Sequence, residues 1–172
     1  NLDILHQQLT RKTVTNSAGT SDVTKYWYPK DYNSTTISGS LLNAHIISVP
    51  IKEERYHNGY LISGKVTEYT WFGNPYKIYL LETDKPQSAP THNPDQLIPS
   101  GYLKRADLTY DGNNLNLIAV QKSDDNKTSY IWGYDNDKPI AEINNSVTNG
   151  YYFNSFENSD GNSALNDCKT GR

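Results

Sequence analysis

The side chains that could do chemistry in this chain are few and dispersed. Its four histidines are His6, His45, His57 and His92, and no two stand at the i,i+2 or i,i+4 spacing that brings paired imidazoles to one metal. His57, directly before Asn58-Gly59, reads as a turn residue. Carboxylates pair locally as Asp107 with Asp111, Asp124 with Asp125, and Asp135 with Asp137. Glycoside hydrolysis needs two carboxyl groups roughly 5–9.5 Å apart across a cleft. Aspartates in hairpin turns are instead accounted for by bonds to local backbone. Asp135-Asn136-Asp137 lacks the glycine and distal glutamate of an EF-hand loop, and Glu157 with Asp160 reads as a solvated turn. Cys168 is the single cysteine, so no internal disulfide or multi-cysteine zinc site can form. With no base to activate it, it reads as a buried thiol. There is neither a Gly-x-Ser-x-Gly elbow nor a phosphate-cradling glycine loop. What remains is aromatic: Trp27, Trp71 and Trp132 can stack on a ligand such as a sugar, or pack between hairpins as core. The expectation is a chain that catalyses nothing and holds no cofactor beyond a structural calcium.

The elements that would position these residues are strands. Hydrophobic content is 35% and mean hydropathy is −0.77, with 14 Tyr and no Met. That composition suits half-buried pleated surfaces better than a thick core. Net charge is −3 with dispersed Lys and Arg, which disfavours a nucleic-acid partner. No apolar run approaches the roughly 18–20 residues of a membrane span. Helical spacing occurs only at 2–9, through Leu2, Leu5 and Leu9, and briefly at 39–45. Strands are expected at 22–28, 51–56, 60–69, 76–83, 103–110, 115–122, 127–134 and 139–143. Between them lie turns at Asn58-Gly59, Gly73-Asn74-Pro75, Asp111-Gly112, 123–126 and Asp135-Asn136. The stretch 84–100 carries Pro86, Pro90, Pro94 and Pro99 and reads as a long surface loop. The fold class is therefore all-β, an antiparallel hairpin meander or spiral sheet with little helix.

A repeat is visible where strands enter turns. Tyr56-His57-Asn58-Gly59, Tyr110-Asp111-Gly112-Asn113 and Tyr134-Asp135-Asn136-Asp137 each set a Tyr before Asp, Asn or Gly. Asp and Asn bond local backbone, Gly supplies positive φ, and the Tyr ring is expected to pack on the neighbouring hairpin. Stacked units of this kind make a solenoid in which no hairpin is stable alone.

These turns, with the block Tyr130-Ile131-Trp132-Gly133-Tyr134-Asp135 running on to Pro139-Ile140-Ala141-Glu142-Ile143, resemble the YD-repeat (RHS-type) surface and secreted proteins of Bacteroidetes. The resemblance covers 21–146, after a lead-in at 1–20. Residues 147–172, with Ser155-Phe156-Glu157 and Thr170-Gly171-Arg172, look like the start of a jelly-roll, carbohydrate-binding-like domain. The resemblance implies a segment of a larger exported protein at the outer cell surface or secreted, a scaffold or shell for adhesion, motility or effector delivery. It implies as partners the rest of a longer chain, a type 9 secretion machinery as carrier, and other surface proteins. The alternative is a binding module that takes glycans or proteins on exposed Tyr and Trp.

Overall fold

A computed structural model describes residues 7–33 and 38–145. The expected jelly-roll start, with Cys168, Glu157 and Asp160, lies outside the described residues, as does His6. Among the described residues ten strands form one antiparallel sheet in the order β1-β2-β3-β4-β5-β7-β8-β9-β10, with the two-residue β6 paired to β4. They are β1 (Arg11–Thr15), β2 (Ser21–Trp27), β3 (Lys52–His57), β4 (Tyr60–Tyr69), β5 (Pro75–Leu81), β6 (Gln87–Ser88), β7 (Tyr102–Tyr110), β8 (Leu117–Lys122), β9 (Thr128–Gly133) and β10 (Lys138–Asn144). The all-β expectation holds, and each of the eight strands expected from the sequence falls on one of these to within a few residues. The chain divides into two compact units at Asp107/Leu108.

The first unit holds the core. Val23, Tyr56 and Leu61 form one buried cluster, against which Leu81 packs. Tyr32, Leu41 and Ile51 form another, closed by Trp27, Ile46, Val49, Tyr69 and Leu97. Register sets this up: Val23 lies opposite Tyr56, and Tyr56 opposite Leu61, so period-two alternation brings all three to one face. The β3–β4 connection is the two-residue turn that Asn-Gly demands, with Asn58 at φ 48° and Gly59 at φ 85°. Asn58 also ties the turn to β2, accepting from the Ser21 amide at 3.0 Å through Oδ1.

Among the described residues helix is confined to one 3₁₀ turn at Pro29–Asp31 and the short α1 (Ser40–Asn43), which two π-helical residues at 38–39 lead into. The chain leaves α1 through His45 in the left-handed region at φ 56°. The Ile46 amide bonds Leu41 O and the His45 amide bonds Leu42 O, so the last carbonyls are satisfied as in a Schellman motif. The helix expected at 2–9 is corrected where it is described. Gln7 and Gln8 are not helical and Gln7 has φ 54°. The Leu9 carbonyl accepts from the Tyr28 hydroxyl at 2.9 Å, and the Thr10 carbonyl accepts from the Tyr26 amide at 3.0 Å, so tertiary bonding to β2 overrides the local apolar spacing. The stretch 84–100 is a loop apart from β6, whose two residues pair with Tyr60 and Leu61.

In the second unit, β8 and β9 pair through Ala119 with Ser129 and Val120 with Thr128, and β10 returns along β9. Its turns use left-handed backbone at residues other than glycine: Leu115 (φ 62°), Asp124 (φ 58°), and three in succession at Tyr134, Asp135 and Asn136 (φ 52°, 58° and 68°). The Asp137 amide closes that last turn on Gly133 O at 3.1 Å and Tyr134 O at 3.2 Å.

Candidate functional site

The central feature of the first unit is a buried charge network that β3 carries on one face. Lys52, Glu54 and Tyr56 alternate inward, at 3%, 0% and 3% exposure. Burying a carboxylate is tolerable only if its lone pairs are occupied. Glu54 meets that condition. Lys52 Nζ stands 3.2 Å from Oε1, the Tyr102 hydroxyl donates to Oε1 at 3.0 Å, and the Tyr56 hydroxyl donates to Oε2 in a very short bond. Lys52 Nζ also lies 3.8 Å above the Trp27 ring centroid, and Lys25 Nζ 4.5 Å above that of Tyr56.

Tyr102 reaches Glu54 because a glycine lies in its path. Gly64 sits directly across from Glu54, and a Cβ placed on it would meet the Tyr102 hydroxyl at 2.0 Å and ring carbon Cζ at 2.6 Å. The Tyr102 ring therefore occupies the space that any side chain at position 64 would need. Burial first, and the Glu54 charge second, push the Tyr102 hydroxyl well above its ordinary pKa. Tyr56 is raised by burial and by its bond to Glu54. Lys52 is lowered by burial, partly offset by Glu54.

The motif recurs on β4. Glu68 accepts from the Tyr76 hydroxyl at 2.5 Å and from the Tyr79 hydroxyl at 2.7 Å. Lys77 Nζ stands 3.6 Å from it and 4.7 Å from the Tyr76 ring centroid. In both places a carboxylate sits between two phenols beside a lysine. Such carboxylates are saturated with donors, which suits holding strands together.

The three tryptophans part company. Trp27 packs on the Tyr32–Leu41–Ile51 cluster and lies 5.4 Å from His92, whose Nε2 donates to Asp31 O at 3.1 Å. Trp132 is half-buried, its indole nitrogen donating to Leu117 O at 2.8 Å. Trp71 is 69% exposed at the tip of the β4–β5 connection, edge-on to Phe72 at 5.1 Å. The repeat-defining turns diverge as well. Tyr56 is core, Tyr110 is half-buried, and Tyr134 is 57% exposed and itself part of the turn, with Lys138 Nζ 5.7 Å from its ring centroid. Gly59 carries positive φ as its turn requires. Gly112 does not: Asp111 Oδ1 accepts from the Asn113 and Asn114 amides, and the left-handed residue is Leu115. Gly133 has a different reason to lack a side chain, since a Cβ there would meet Ile140 at 2.9 Å. Asp135 supplies one of the left-handed positions.

Two of the aspartates weighed for catalysis stand beside lysines. Asp107 pairs with Lys104 at 2.7 Å, and Asp125 lies 4.0 Å from Lys122. Among the described residues no three of His, Cys, Asp and Glu gather as a metal site, and no helix is long and apolar enough to cross a membrane. Sequence reading missed Glu54 and Glu68. The only signal was the same-face triplet Lys52-x-Glu54-x-Tyr56, which looks identical to a solvated strand face. Comparison with protein-family models, with curated proteins and with solved structures gives no match.

Proposed function

We propose that this chain is a structural repeat segment of a large exported cell-surface or secreted protein, serving as scaffold or shell. The observation that carries this reading is the open meander. Strands follow one another in chain order, and the path ends in β1 and β10. All five residues of β1 are exposed, and among the described residues β1 pairs only with β2. An edge strand invites pairing with further strand, and in a spiral sheet the next turn of the same chain supplies it. The Tyr–Glu–Tyr ties favour the same role, because they lock adjacent hairpins by polar bonds where apolar content is low.

Hydrogen exchange on β1 tests the reading. The chain is compared alone and with the flanking sequence that its gene encodes. The scaffold reading expects β1 amides to exchange at least tenfold more slowly in the longer protein, and equal rates would sink it. A second reading is favoured by Trp71, whose exposed ring beside Phe72 at a hairpin tip suits contact with a glycan or a partner protein. Loss of a saturable ligand in Trp71→Ala, with the fold intact, would support it.

A further inference from the structure

We propose that the second unit carries a binding site for one uncharged pyranose ring, formed between the Asp111–Asn116 turn and the 134–137 turn. This goes beyond the scaffold role and does not depend on it. Asp111, Asn114, Asn116 and Asn136 line an open depression of about 160 Å³ together with Tyr130, Trp132, Ile118 and Ile131.

The hydrogen bonding of these side chains points to a polyol. Asp111 uses Oδ1 to accept from the Asn113 amide at 2.8 Å and the Asn114 amide at 3.1 Å, which leaves Oδ2 uncommitted among the described residues. Asn114 uses Oδ1 to accept from the Asn116 amide at 2.9 Å, which leaves its Nδ2 donors. Asn116 donates through Nδ2 to Asn136 O at 2.6 Å, which leaves Oδ1 as an acceptor. Each planar group is thus fixed by one atom and keeps the other without a protein partner among the described residues. Vicinal hydroxyls, each both donor and acceptor, are complemented by such a mixed set of fixed donors and acceptors. Trp132 is held by its own bond to Leu117 O, so its ring is fixed in place as an apolar wall for the C–H face of a sugar.

Size and charge narrow the ligand. A depression of about 160 Å³ that is open to solvent on one side seats one ring unit of a sugar and not an extended peptide. The eight lining residues include one carboxylate and no cation, which disfavours phosphates and carboxylates. Calcium typically takes about 6–8 oxygens, often from several carboxylates, and a single Asp does not provide them.

The test is a screen of the whole 172-residue chain on immobilised mono- and oligosaccharides. Methyl glycosides of the hits are then titrated, following the Trp132 indole resonance. Two variants keep the turn bonds and change only the presented atom. Asp111→Asn replaces the free acceptor with a donor, and Asn114→Asp replaces the free donor with an acceptor. Saturable binding that shifts the Trp132 resonance and weakens at least tenfold in each variant, with backbone spectra otherwise unchanged, supports the site. No saturable binding to any neutral sugar overturns it. Binding that survives both variants, or that is lost only in Trp71→Ala, places the ligand elsewhere and also overturns it.

Discussion

Replacing Gly64 by Ala tests the geometry on which the first unit depends. The added Cβ falls 2.0 Å from the Tyr102 hydroxyl oxygen, 2.6 Å from Cζ and 2.9 Å from Cε1, so the clash is with a rigid ring and not with one mobile atom. Tyr102 must leave. Its bond to the buried Glu54 carboxylate goes with it, and a hydrogen bond to a charged group contributes about 1.5–3 kcal/mol. The ring also loses burial. A tyrosine buries about 150–250 Å², and re-exposing a third of that at about 25 cal/mol per Å² costs about 1–2 kcal/mol. Against this, Ala restricts the unfolded chain and returns about 0.4–1 kcal/mol, because Gly64 is not at positive φ. The net expectation is a loss of about 2–4 kcal/mol. Urea unfolding followed by tryptophan fluorescence measures it. Tyr102→Phe, which removes only the hydroxyl, should cost about 1.5–3 kcal/mol in the parent chain and under about 0.5 kcal/mol in Gly64→Ala, where the bond is already broken. A Gly64→Ala protein as stable as the parent, or a Tyr102→Phe cost equal in both backgrounds, would refute the packing of this ring over the glycine.

Other perturbations separate the remaining parts. Lys52→Met leaves the Glu54 charge buried without its cation and should cost about 3–5 kcal/mol in the same assay. Gly59 and Gly112 both have open space where a Cβ would go, but only Gly59 has positive φ. Gly59→Ala should therefore lose about 1–2 kcal/mol, while Gly112→Ala should be neutral or gain up to about 1 kcal/mol. Alkaline stability follows the phenols. Tyr56, Tyr79 and Tyr102 have hydroxyls raised above 10.0, burial being the largest cause in each, so the folded chain keeps protons that the unfolded chain releases. Their contribution is complete below pH 10 and is lost as pH rises above it. Lys52 acts in the opposite sense just below 10.5, since its lowered value makes the folded state release its proton first. Urea midpoints measured from pH 8 upward should fall beyond pH 10, and less steeply in Tyr102→Phe.

The strands were legible because their ends carry chemistry that works locally. Asn58-Gly59 needs no tertiary context to turn, and Tyr60–Tyr69 appears at its expected bounds. Gln7 and Gln8, the described end of the helix expected at 2–9, are not helical for the converse reason: leucines at helical spacing say nothing of a neighbouring strand waiting to bond Leu9 and Thr10. The Asp111 turn was found, but through the wrong residue. An aspartate that caps two amides can put the left-handed position several residues on, at Leu115, and spacing does not reveal which backbone will carry it.

The polar core was hidden by its own composition. Ile51-Lys52-Glu53-Glu54-Arg55 offers four charged side chains in a row, so neither face of β3 reads as the inward one. The face is chosen by partners distant in sequence: Val23 and Leu61 flank Tyr56, Trp27 receives Lys52, and Tyr102, 48 residues away, reaches Glu54 over Gly64. None of these contacts is local, and each needs the sheet already assembled. A chain poor in aliphatic side chains can still specify one register if its inward charges are satisfied in that register alone. A slip of one residue would turn Lys52, Glu54 and Tyr56 outward together, and whichever of Ile51, Glu53, Arg55 or His57 replaced them would bring neither the ammonium group of Lys52 nor the phenol of Tyr56 to the inward carboxylate.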